Sequence, residues 1–206
     1  MQALFVHGMG RTPLSGWPLL WQLRRGGLTT RTFGYVTAWA SFPSIKTRLL
    51  ARICLLASQG DYVLIGHSLG GVLLRAALAE LPPSVRQPTH LFLLGSPVHA
   101  ARLAKRLGNN RLFRALTGDC GAVLGSDARM AAIEPSYTPT TSVVGVRGMS
   151  GPHSPFAQEM NDGVVALSEV SAAWLTDQVQ IPTLHTLLPA SGRAGEVILA
   201  RIRTDA

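Results

Sequence analysis

Residues 62–78 read YVLIGHSLGGVLLRAAL, and this stretch decides the fold. Residues 62–65 are a continuous apolar run of the length and β-branched character of a buried strand. Residues 72–78 continue as an apolar helix that Pro82-Pro83 brings to an end. Between the two, the chain must reverse within a few residues around Ser68. A serine on so sharp a turn needs small neighbours two positions away on either side, and Gly66 and Gly70 supply them. Such a turn lifts the Ser68 hydroxyl above the end of the strand. It also aims the first N–H groups of the helix at the same place, where the helix dipole favours a developing anion.

Outward from this unit, short β-rich runs alternate with longer helical ones. Strands are predicted at 2–7, 31–36, 61–66, 89–94, 141–146 and 179–184, and helices at 17–25, 44–58, 69–81, 100–107 and 193–202. Nearly all the strands are too apolar to have a solvent face. The pattern predicts an α/β fold: a mostly parallel central sheet of about six strands with helices on both faces. The 206 residues hold no internal repeat or dividing linker, so one domain spanning 1–206 is expected, with a poorly legible excursion at about 108–139.

Composition narrows the function. With 47% hydrophobic and 15% charged residues, the chain can bury a substantial core. No run approaches the roughly 18 apolar residues that would cross a bilayer. Residues 1–7 lack the basic start of a secretory signal, so a cytoplasmic protein is expected. Cys54 and Cys120 give neither a disulfide framework nor a metal spacing, and Cys54, in an apolar helical stretch, reads as a buried hydrophobe. The six histidines form no HxxxH or HExxH pair, so no metal site is expected. The net charge of +8 comes from 19 basic residues of which only Lys46 and Lys105 are lysines. The arginines are scattered along the chain and aromatic residues are only 6%, which argues against nucleic acid and leaves peripheral contact with an anionic membrane open.

The segment Gly66-His67-Ser68-Leu69-Gly70, set between strand and helix, resembles the nucleophile elbow of the α/β hydrolases. Phe5-Val6-His7-Gly8-Met9-Gly10 is similar to the His-Gly segment that follows an early strand in lipases and esterases. The whole resembles the small, lidless bacterial members, without the two opening strands of larger ones. The resemblance implies a minimal α/β-hydrolase fold and a Ser-His-Asp triad that cleaves a carboxylic ester or lipid through an acyl-enzyme, with no cofactor. It makes Ser68 the nucleophile and the N–H groups of Met9 and Leu69 the oxyanion donors.

The family order of Ser, acid, His implies that both partners lie downstream. Asn161-Asp162-Gly163-Val164-Val165 resembles the acid loop of bacterial lipases, which points to Asp162, with Asp127 and Glu159 as the other candidates. His185, after the last predicted strand and before the final helix, takes the place of the base; His153 precedes the acid and so falls in the wrong chain order. His99 follows a Gly95-Ser96-Pro97 segment similar to one in lipases, but displaced by one position, and receives no role. Met9, Leu14, Trp17, Leu69 and parts of 98–160 are expected to line the substrate pocket. The same triad serves a thioesterase or amidase, and a hydrolase fold can also act as a non-catalytic lipid or acyl-binding protein. The triad residues present here favour catalysis over binding alone, and ester cleavage is the expected reaction, although the same residues do not separate esters from thioesters or amides.

Overall fold

The six strands β1 (Gln2–Val6), β2 (Thr29–Phe33), β3 (Tyr62–His67), β4 (His90–Leu94), β5 (Thr140–Gly145) and β6 (Asp177–Ile181) pair in parallel, in the order β2-β1-β3-β4-β5-β6. The computed structural model describes residues 1–152 and 154–204, of Thr204 the backbone alone. Side chains alternate across the pleat. Ala3, Phe5, Val63, Ile65, Phe92 and Leu94 point to one face, where they pack with Leu19, Leu20 and Leu23 of α1 (Trp17–Arg25) and Ala194 and Ile198 of α7 (Gly192–Thr204). Leu4, Val6, Tyr62, Leu64, Leu91 and Leu93 point to the other, against Ile45, Leu49 and Ile53 of α2 (Phe42–Ala57) and Val72 and Leu73 of α3 (Leu69–Leu78). The predicted two-sided burial of the sheet is therefore found in its central strands.

The edges differ from the expectation. β2 covers Thr29–Phe33, not 31–36, because Gly34 ends the ladder and Tyr35 turns inward, donating its N–H to His7 Nε2 at 3.3 Å and its hydroxyl to His7 O at 2.7 Å. β6 covers Asp177–Ile181, not 179–184: Pro182 has no N–H to continue the pairing, and Asp177, Gln178 and Gln180 are polar because the strand is half-exposed. The excursion resolves into α4 (Arg102–Leu107), α5 (Arg111–Leu124) and α6 (Asp127–Ala131). Gly118, at φ 52°, kinks α5, and a side chain there would lie 2.7 Å from the Thr37 carbonyl. Beyond the kink, Cys120, Val123 and Leu124 join the core. Cys54, expected to be buried, is only half-buried on α2. Arg75 is buried on α3, where it donates to the Ile133 carbonyl at 2.9 Å and lies over the Trp174 ring at 4.9 Å; burial lowers its pKa to about 10. No helix among the described residues is long and apolar enough to cross a membrane.

Candidate active site

Because every strand runs the same way, the segments leaving β1, β3, β4, β5 and β6 emerge at one edge of the sheet. The chain order switches direction at β1, which lies between β2 and β3, and the crevice outside such a switch is where open α/β sheets bind ligands. Ser68 leaves β3 into this crevice. Its backbone sits at φ 52° and ψ −125°, a conformation that costs a non-glycine residue roughly 1–3 kcal/mol and persists only where the surroundings impose it. They do so here. The Ser68 N–H donates to Leu94 O at 2.9 Å, a side chain at Gly66 would stand 2.4 Å from the Gly71 backbone, and one at Gly70 would stand 2.2 Å from Val6 O. Leu69 then opens α3, and its N–H is one of the first-turn amides that have no partner within a helix.

Asp162 and His185 come together in the loops after β5 and β6. His185 Nδ1 lies 2.6 Å from Asp162 Oδ2, and both residues are buried. The second carboxylate oxygen, Oδ1, accepts the N–H groups of Val164 at 2.9 Å and Val165 at 2.8 Å. An ionised carboxylate only accepts, so the proton between the pair belongs to Nδ1 and leaves Nε2 as the free base. The His185 backbone is fixed as well: its N–H donates to Asp162 O at 2.9 Å, and its carbonyl accepts His67 Nε2 at 3.0 Å. The His67 and His185 rings lie 4.8 Å apart, which sets the base beside the residue preceding Ser68. Burial pushes the His67 pKa well down, so His67 is a neutral donor.

The segment after β1 is held from behind. Because the Tyr35 N–H donates to His7 Nε2, neutral His7 carries its proton on Nδ1, and Nδ1 donates to Gly8 O at 2.8 Å. The same carbonyl accepts the Arg11 N–H at 3.3 Å. The His7 ring stacks on Tyr35 at 4.3 Å, and burial lowers its pKa. In a trans peptide the carbonyl and N–H point opposite ways, so anchoring Gly8 O directs the Met9 N–H away from His7. A side chain at Gly8 would stand 3.0 Å from Ser68 Cβ, which places this peptide alongside the serine.

Three residues assigned no role from the sequence complete the arrangement. Gly95, at φ 55° after β4, faces the pair so closely that a side chain would fall 3.0 Å from both Asp162 Oδ2 and His185 Nδ1. At Gly145 it would fall 2.8 Å from Asp162 Cβ. Asn161 is buried and ties the acid loop together, accepting the Gly163 N–H at 2.9 Å and donating to Glu159 O at 2.9 Å. The glycines at the ends of β4 and β5 were the available signal; which distant group each makes room for was not.

The other candidates lie elsewhere. Asp127 is exposed and paired with Lys105 at 2.6 Å. Glu159 takes Arg102 at 2.8 Å and the Ser168 N–H at 2.8 Å, contacts that hold its carboxyl below the usual range, with the Ser168 hydrogen bond the larger cause. His99 meets Ser171 O at 3.2 Å, and His153 lies outside the described residues. The expected pocket lining needs correction too: Leu69 is fully buried in the core, and Trp17 lines a groove between α1 and α7 with Trp21 and Leu199.

No family model and no curated sequence matches the chain. Solved structures do. A protein from Xanthomonas campestris, described as a hydrolase of the α/β superfamily, superposes with a TM-score of 0.65 at 16% identity over 98% of both chains. The fold is that of the α/β hydrolases. The RedJ thioesterase of prodiginine biosynthesis in Streptomyces coelicolor shares this fold with a TM-score of 0.64 at 15% identity, over 100% of this chain and 90% of its own. The phospholipase PlaB of Legionella pneumophila shares it with a TM-score of 0.65 at 16% identity, over 83% of this chain and 46% of its own. At such identities the α/β-hydrolase likeness is one of architecture.

Proposed function

We propose that this chain is a serine hydrolase that cleaves carboxylic esters, with Ser68 as nucleophile, His185 as general base and Asp162 as the acid that orients it. The observation that carries the reading is the buried Asp162–His185 hydrogen bond of 2.6 Å, at the same edge of the sheet as a serine held at φ 52° on a strand-to-helix turn. His185 Nε2 takes the Ser68 proton as Oγ attacks the ester carbonyl. The tetrahedral oxyanion is met by the Met9 and Leu69 N–H groups, and loss of one such donor typically costs about 3 kcal/mol. His185 returns the proton to the leaving alcohol, then takes one from the water that attacks the acyl-enzyme, and Ser68 leaves with its hydroxyl restored. Asp162 holds the tautomer that frees Nε2 and stabilises the imidazolium.

Thioesters pass through the same steps up to the leaving group, and the shared fold of the RedJ thioesterase makes them the substrates to assay beside esters. A fluorophosphonate should label Ser68, identified by mass spectrometry of the modified peptide, and the label should vanish in His185→Ala. An unlabelled protein, under conditions that label a control esterase, would move the reading to a non-catalytic acyl-binding protein.

A further inference from the structure

Several arginines that are far apart in sequence lie in segments at one edge of the sheet. Five stretches at the carboxyl edge of the sheet (7–16, 34–41, 108–118, 146–152 and 182–191) contain Arg11, Arg111, Arg114 and Arg147 and no Asp or Glu. The carboxylates next along the chain are engaged: Asp119 with Arg129, Glu159 with Arg102, and buried Asp162 and Glu169 with His185 and the Ala166 N–H. All four arginines are exposed, and no carboxylate among the described residues pairs with any of them. Asp61, Glu134 and Asp177 stand instead where strands begin, at the opposite edge.

The same carboxyl edge carries exposed apolar side chains. Trp39 is 87% exposed, Met149 85%, Leu112 68% and Leu116 59%. Leu112 and Leu116, four apart, share a face of the first half of α5, and Arg111 and Arg114 flank them. That half-helix is tied to the site: the Thr37 hydroxyl donates to Leu116 O at 2.9 Å, two residues beyond the Tyr35 that holds His7. Exposed leucines and a tryptophan gain nothing from a nucleic-acid backbone. Together with unpaired arginines they match a surface that is apolar within and anionic at its face.

We propose that the carboxyl edge is a docking face for an anionic lipid bilayer, with the mouth above Ser68 opening onto it. The inference rests on the serine-hydrolase reading only for what the mouth does, and it narrows the substrates of that reading to esters borne in membranes. Arginines near such a surface strengthen binding about fivefold each, an effect that salt screens.

The test uses full-length Ser68→Ala protein and vesicles of phosphatidylglycerol and phosphatidylcholine, against phosphatidylcholine alone. The protein should float with the anionic vesicles at low salt, and brominated acyl chains should quench its tryptophan emission. Trp39→Phe should abolish the quenching, whereas Trp17→Phe and Trp21→Phe should leave it. Arg111→Gln with Arg114→Gln should weaken flotation tenfold or more while fluorophosphonate labelling of the protein with Ser68 intact stays unchanged. Flotation unaffected by the arginine pair, quenching that follows Trp17 or Trp21, or retention on duplex DNA without flotation would each overturn the proposal. A protein that labels at Ser68 but never floats refutes docking alone; one that floats but never labels refutes the catalytic reading and leaves docking standing.

Discussion

The two ends of the sheet are built differently. At the amino ends of the strands, charges meet partners: Asp61 pairs with Arg86, and Asp177 with Arg201 at 2.5 Å. At the carboxyl ends, a serine is forced to positive φ, His67 Nδ1 is buried with no partner among the described residues, and four arginines face solvent unpaired. Buried atoms without a partner among the described residues occur at the amino end as well, Nε and Nη1 of Arg75 beside the Ile133 and Glu134 carbonyls. What sets the carboxyl end apart is the strained Ser68 backbone, which the rest of the fold must hold in place. That asymmetry is what a site for chemistry on a rigid scaffold looks like, and substitutions at the two ends should differ accordingly in kind and size.

The largest effect belongs to the carboxyl end and to rate, not stability. Ser68→Ala should lower kcat on a soluble ester by about 10⁴-fold or more, with Asp162→Asn in the same non-additive group. Both proteins should melt near the parent temperature, and Ser68→Ala, relieved of no contact, should bind substrate analogues as before. Full activity in Ser68→Ala would remove the distinction between the ends at its root.

Next in size is the packing that makes the elbow possible. In Gly70→Ala the new methyl would meet the Val6 carbonyl at 2.2 Å, a backbone atom that cannot swing aside. Destabilisation of about 3 kcal/mol is expected in urea unfolding, at the upper end of the range for overpacked sites. A change below about 0.5 kcal/mol would show that the turn is looser than its contacts imply.

Acid should act on the carboxyl end as well. His7 and His67 are buried with their pKa values lowered, so the folded chain binds fewer protons there than the unfolded chain. Their contribution is fully present above the unfolded value of about 6.5 and is lost as pH falls below it, at up to about 1.4 kcal/mol per pH unit for each proton taken up. Urea unfolding at pH 8, 6 and 5 should trace this decline. His67→Gln, which keeps an N–H for the His185 carbonyl but cannot titrate, should flatten it.

What the sequence made legible follows the same geometry. The strand, elbow and helix around Ser68 are consecutive residues, so periodicity and two glycines were enough to read them. Asp162 and His185 are 23 positions apart and meet only because β5 and β6 pair; resemblance, not pattern, pointed to them. Gly95, Gly145 and Asn161 act by proximity to distant groups, which no local pattern records. The excursion resisted because Gly118 breaks the helical period within α5 and α6 is only five residues long. Polar Asp177 and Gln178 hid the start of β6 because an edge strand need not be apolar. The four arginines of the carboxyl edge looked dispersed because the segments that carry them are far apart in the chain.

The smallest effect is expected at the amino end. Asp61 and Arg86 pair across the entries to β3 and β4, but both side chains are more than half exposed, at 58% and 55%. Water already solvates each charge well, and holding two flexible side chains in one geometry offsets most of the Coulomb gain. Asp61→Asn should therefore change stability by less than about 1 kcal/mol, and less still at high salt. It should leave ester turnover untouched, because Asp61 lies at the far end of the strand that leads to Ser68. A loss of turnover at unchanged stability would mean that the two ends are coupled through β3, and the contrast between a relaxed strand entry at Asp61 and a strained exit at Ser68 would have to be replaced by a single strained strand.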